Sequence, residues 1–272
     1  MASPTIAVER SGDVVWCALD RPPLNLFEPG LIASLRSTFD TLSRDVSIRA
    51  AVLVGRGRAF TAGMDVHVLH GLNAGSARAL ITDLCGAIDA VHRAPFPVVA
   101  AIHGACLGAG FELALACDFR IAAADASFGL PEVRVGVPSV IQAALLPPLI
   151  GPGRAAEMLL LAERVDAARA LTWGLVTRVV EPAALTAAVD ETLAAVLACG
   201  PAAVRAQKAL MIRWRESDLP SAIRAGIDAF AACYAGDEPR EGAAAFLEKR
   251  SPRFAGRVMP SAGPGRETGT GR

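Results

Sequence analysis

A carboxylate in an apolar stretch, beside backbone N–H groups freed by glycines, is the first feature of this sequence that could do chemistry. Both lie in residues 103–118, which read His-Gly-Ala-Cys-Leu-Gly-Ala-Gly-Phe-Glu-Leu-Ala-Leu-Ala-Cys-Asp. Gly104, Gly108 and Gly110 let the backbone turn tightly. Residues 111–117 read as the start of an apolar helix, whose first N–H groups lack intrahelical partners and would face a ligand. Glu112 falls in its first turn. The helix macrodipole alone favours an acid there, so Glu112 taken singly is as compatible with stability as with chemistry.

A second stretch repeats the design. Residues 52–65 run Val-Leu-Val-Gly-Arg-Gly-Arg-Ala-Phe-Thr-Ala-Gly-Met-Asp, an apolar strand followed by a glycine-bearing turn. A third piece reads Ser127-Phe128-Gly129-Leu130-Pro131-Glu132 and supplies another carboxylate. His67 and His70 could suggest a metal, but no cysteine or acid follows at a ligand spacing. They read as helix or lid residues.

These pieces need elements to hold them. Residues 97–102 are a buried strand by their apolar, β-branched run. Residues 5–9 and 13–20 read as a hairpin around Arg10-Ser11-Gly12. Pro22 and Pro23 make residues 21–26 a loop. Helical spacing appears over 30–42 and 77–93, with strands over 50–54, 118–123 and 177–180 and a soft loop over 72–76. Helices are expected over 140–150, 153–161, 166–173, 182–199, 201–214, 219–234 and 239–249. Strands alternating with helices imply an α/β layered fold.

With 272 residues, 53% of them hydrophobic, the chain can bury a substantial core and is not disordered. The formal net charge is zero, so no electrostatic grip on nucleic acid is expected. No apolar run is long enough to span a membrane, and residues 1–10 lack a signal-peptide core. The six scattered cysteines form no Cys-x-x-Cys pair and read as reduced thiols in a cytoplasm.

In type and order, the three pieces resemble the enoyl-CoA hydratase/isomerase family, the crotonase superfamily, over residues 8–254. The resemblance implies a crotonase-like spiral of ββα units over residues 1–200. A helical C-terminal trimerisation region would occupy 201–255, with a disordered tail over 256–272. It implies an acyl-CoA thioester substrate and a homotrimer or dimer of trimers. No cofactor is implied beyond the CoA of the substrate. The family's oxyanion-hole amides fall at Met64 and Ala109, alanine here replacing the middle of three glycines. Its catalytic carboxylates fall at Glu112 and Glu132. Two carboxylates around one water can serve as base and acid. Retention of both implies 2-enoyl-CoA hydration; double-bond isomerisation, hydrolysis, decarboxylation or silent acyl-CoA binding are the alternatives.

CoA contacts are implied at Leu24, Arg58, Ala59, Ala62 and Asp65, with Phe230 and Lys249 at the adenine and phosphate end. Leu69, Leu72, Leu80 and Leu84 are expected to line the acyl pocket. One departure stands out. After Glu132 the family reads Leu-Gly-x-x-Pro-Gly-x-Gly-Gly, whereas residues 135–142 here read Val-Gly-Val-Pro-Ser-Val-Ile-Gln, one residue shorter and without the later glycines. The loop beside the site must follow another path.

Overall fold

A computed structural model describes residues 6–254; the expected tail lies outside them. The chain divides into two compact units between Ala198 and Cys199.

In the first unit, β1 (Ile6–Ser11) and β2 (Val14–Leu19) form the expected hairpin, with Ile6 opposite Leu19 and Ser11 opposite Val14. After α1 (Pro29–Leu42) the chain repeats one plan. β3 (Ala50–Gly55) turns into β4 (Ala59–Thr61), followed by α2 (Val66–His70) and α3 (Ala74–His92). β5 (Val98–Ile102) turns into β6 (Ala105–Leu107) and α4 (Ala109–Ala116). β7 (Phe119–Ala123) turns into β8 (Ser127–Gly129), followed by a 3₁₀ turn over Glu132–Val135. A second 3₁₀ turn (Gln142–Leu145) leads into α5 (Leu146–Ile150) and α6 (Pro152–Leu160). Then come β9 (Val165–Asp166), α7 (Ala167–Trp173), β10 (Arg178–Val180) and α8 (Leu185–Leu197).

Each turn of the spiral gives one strand to each of two sheets. The larger runs β1-β2-β3-β5-β7-β10, parallel from β2 onward; the smaller runs β4-β6-β8-β9. Parallel strands covered on both faces must be apolar throughout, and β5 is buried at every position. Its alternate residues enter two cores. Val98, Ala100 and Ile102 join the cluster beneath α1, α3 and α4, while Val99 and Ala101 meet Leu185, Val189 and Leu193 of α8.

Three expectations need correction. The segment 72–76 is not all loop, because Asn73 caps α3: its Oδ1 accepts from Gly75 N and Ser76 N at 2.9 and 3.0 Å. The expected helix over 140–150 begins only at Gln142, as a 3₁₀ turn, and becomes α5 where Pro147 and Pro148 occupy the first helical turn. The apolar helix starts at Ala109, not Phe111.

The second unit is helical, with α9 (Pro201–Glu216), α10 (Leu219–Cys233) and α11 (Glu238–Leu247). Glu238 caps α9 by accepting from Ala202 N and Ala203 N at 2.9 and 3.1 Å. Ile223, Ile227 and Phe230 of α10, with Tyr234 just beyond it, are exposed. No single helix among the described residues is long and apolar enough to cross a membrane.

Candidate active site

The site begins at a buried amide. Asn25 sits in the loop after β2, and its Nδ2 donates to the carbonyls of Arg56, Ala59 and Phe60 at 2.8, 2.9 and 3.1 Å. Arg58 N donates to Pro23 O at 3.0 Å and Ala62 N to Leu24 O at 2.9 Å. The loop is thus laced to the β3–β4 turn. Leu24, Arg58, Ala59 and Ala62, separate in sequence, are brought together. Ala59 itself is buried in β4, and Arg58 is exposed.

Phe27 then aims the first amide. Phe27 N donates to Gly63 O at 2.8 Å, and Asp65 N donates to Phe27 O at 2.9 Å. In such a parallel bridge the residue between, Met64, turns its own N–H to the opposite side. Asp65 is committed locally: its Oδ1 caps α2 by accepting from His67 N at 2.9 Å. His67 and His70 follow on α2, and among the described residues no group of three His, Cys, Asp or Glu could hold a metal.

The second amide opens α4. Gly108 N donates to Gly129 O at 2.9 Å, and Gly108 O accepts from Phe111 N and Glu112 N at 2.8 and 3.0 Å. The N–H of Ala109, first residue of α4, has no intrahelical acceptor. Among the described residues, neither it nor Met64 N–H donates to a protein group. Ala109 is helical, so alanine in place of glycine costs nothing in backbone strain. The two turns press together: a Cβ on Gly63 (φ +91°) would lie 2.8 Å from Leu107 O and 3.6 Å from Gly108 Cα.

Both carboxylates reach this place. Glu112 is only 3% exposed. Its Oε1 accepts from Ile141 N at 2.8 Å and Ala143 N at 3.0 Å. Burial pushes its carboxyl above the usual range; those amides oppose the shift and the charge of Glu132 adds to it. Glu132 arrives on the 3₁₀ turn after β8. Its Oε1 lies over Gly108 (φ +55°), where an added Cβ would be 2.8 Å away. Its Oε2 accepts from Ser139 Oγ at 2.7 Å.

The shortened segment therefore serves the site. It closes over both glutamates, giving Ser139 to one and two backbone amides to the other. Sequence reading missed these three groups. A hydroxyl seven residues after the second carboxylate, where the family has glycine, was the available signal. Leu72 and Leu80 line a cavity of about 530 Å³ with Ile32 and Val68; Leu69 and Leu84 do not line it, and Leu84 lies with Leu80 in the core. Phe230, packed on Tyr234 at 5.5 Å between ring centroids with the rings tilted by 54°, and Lys249 belong to the second unit.

Among the described residues, two paired turns of a ββα spiral thus each present an amide without a protein acceptor, and two carboxylates lie beside one of them. A family profile described as "Enoyl-CoA hydratase/isomerase" matches residues 9–257. The crotonyl-CoA hydratase of Syntrophomonas wolfei is 35% identical over 260 residues, 93% of this chain and 99% of the relative. The short-chain-enoyl-CoA hydratase of Clostridium acetobutylicum is 30% identical over 251 residues, 90% of this chain and 95% of the relative. The crystal structure of an enoyl-CoA hydratase from Bacillus anthracis superposes with a TM-score of 0.88 at 33% identity, covering 93% of this chain and all of that one. The chain belongs to the enoyl-CoA hydratase/isomerase family.

Proposed function

We propose that this protein is an enzyme that adds water across the double bond of a 2-enoyl-CoA thioester. The observation that carries the reading is the convergence of Glu112 and Glu132 on the turn that presents the Ala109 amide. The thioester oxygen would sit between the N–H groups of Met64 and Ala109. Their fixed dipoles are worth several kcal/mol to an enolate-like oxygen, on the order of other oxyanion holes. Burial first, and then the charge of Glu132, disfavour the ionised form of Glu112; in this reading the pair enters the step with one carboxyl protonated and the other ionised. As water oxygen bonds to C3, its proton passes to the ionised carboxylate. The pair returns a proton to C2, and the thioester oxygen gives up its charge. The pair ends with the proton count it began with.

Binding follows the resemblance. Leu24, Arg58, Ala59, Ala62 and Asp65 would run beside the CoA, and Phe230 and Lys249 would meet its adenine and phosphate end across a subunit boundary. Backbone amides and carboxylates supply the polarisation and proton transfers, so no metal or further cofactor is required. The exposed apolar face of Ile223, Ile227, Phe230 and Tyr234 supports a homotrimer or a dimer of trimers. Six free cysteines support residence in the reducing cytoplasm.

The test is incubation with a panel of 2-enoyl-CoA thioesters, read by mass. Gain of one water is expected. An unchanged mass with a moved double bond would replace hydration by isomerisation, and release of free CoA would replace it by hydrolysis.

A further inference from the structure

We propose that Ser139 is a positioning residue for the reaction, holding the Glu132 carboxylate over the Ala109 amide through its hydroxyl. The inference rests on the hydratase reading of the same site. Glu132 has little else to fix it. It opens a short 3₁₀ turn, and the segment from Val133 to Pro138 is exposed throughout. Its Oε1 faces Gly108, which offers no side chain. Ser139 Oγ, 2.7 Å from Oε2, is the side-chain donor that meets it. Two anchors hold Ser139 in turn. Pro138 restricts the chain just before it, and Ile141 N, just after it, is bound to Glu112 Oε1 at 2.8 Å. One hydroxyl thereby links the two carboxylates through the three residues from Ser139 to Ile141.

The donation also gives the pair a direction. Oε2 takes the serine proton as an acceptor, which leaves Oε1, beside Gly108, as the oxygen that meets water or C2. Hydrogen bonds to an ionised carboxylate are short and strong. The titratable group that faces Glu132 from the packed elements is Glu112 of α4; Arg134, on its own turn, is directed to Leu161 O at 3.4 Å. No covalent step passes through Ser139.

The experiment compares wild type, Ser139→Ala and Ser139→Thr, each alone and with Glu132→Gln. Two readouts are used: hydration of crotonyl-CoA, and exchange of the C2 hydrogens of butyryl-CoA in D₂O, which needs only the enolate and the carboxylates. Ser139→Ala should lower kcat and the exchange rate about 10-fold, the scale of one hydrogen bond to a charged group, with KM nearly unchanged. Thr, which keeps the hydroxyl, should restore most of the loss. On the Glu132→Gln background Ser139→Ala should cost nothing more, because it acts through that carboxylate. Equal losses on both backgrounds would mean a merely structural role and overturn the inference. So would unchanged exchange in Ser139→Ala. Release of free CoA by wild type but not by Ser139→Ala would make the serine an attacking group and overturn it as well. If wild type exchanges C2 hydrogens without hydrating crotonyl-CoA, the hydratase reading fails alone, and the exchange rates still decide the role of Ser139.

Discussion

Residues 103–118 and 132–143 form two walls of the candidate site, and they do so by opposite means. The first wall is backbone: a strand, a turn at Gly108 and a buried helix fix the Ala109 amide and Glu112 together. Glu112 has almost no freedom, since it is buried and its Oε1 is held by two amides. The second wall is an exposed loop that returns to the site and holds Glu132 with one serine hydroxyl. Two identical carboxyl groups are thus made chemically unequal by what surrounds them. Burial favours the protonated form of Glu112, while Glu132 stays partly open to solvent on its loop and meets one donated hydroxyl. An unequal pair can share one proton and hand it on, which an equal pair of exposed acids could not do efficiently.

The strongest way to break this comparison is to remove each carboxylate. Glu112→Gln and Glu132→Gln keep size and one accepting oxygen. Each should lower kcat for crotonyl-CoA by about 10²-fold or more, the scale of general acid–base groups. The double variant should be little worse than the poorer single one, because the two act as a unit. Near-normal turnover in Glu112→Gln with a dead Glu132→Gln would mean that one carboxylate suffices, and isomerisation would take first place.

A smaller effect is expected from the contact between the walls. Gly108→Ala would place a methyl 2.8 Å from Glu132 Oε1 at a φ of +55°, which alanine adopts only under strain. Turnover should fall about 10-fold, with roughly 1 kcal/mol of stability lost to the strained backbone. Steady-state kinetics and a denaturant melt separate the two. A variant that melts early but turns over normally would mean that Glu132 does not depend on the space above Gly108.

The two walls also differ in how far the sequence discloses them. The 103–118 wall is legible because its signals are local: apolar runs, spaced glycines and an acid in a first helical turn lie within one short window. The 132–143 wall is not. Serine in place of the family's glycine marks position 139, but it does not say that the hydroxyl turns back to Glu132, and nothing nearby says that the Ile141 and Ala143 amides turn to Glu112. Those partners are set by where the loop lands. The smaller sheet was hidden for another reason: β4, β6 and β8 have three residues each and β9 two, too few to show a period. The α3 start was masked because Gly75 and Ser76 read as loop, while the Asn73 side chain makes them a first helical turn.

The smallest expected effect is on stability, and its sign follows from the burial of Glu112. The native carboxyl titrates above the value of 4.5 that it has when exposed, chiefly because burial disfavours the charged form. A group whose folded pKa is raised contributes stability in full below its unfolded pKa and loses it as pH rises through the folded pKa. Glu112 is therefore best tolerated by the fold in acid and is a growing liability above that range. Glutamine never ionises and can still accept from Ile141 N and Ala143 N through its amide oxygen. Glu112→Gln should then melt a few degrees above wild type at pH 8, and the gap should close as pH falls to about 4, where both states of the wild-type carboxyl are protonated. Melting curves across that window, with Glu132→Gln as the half-exposed control, test the contrast between the walls. Identical pH dependence in the two variants would mean that burial does not distinguish the carboxylates.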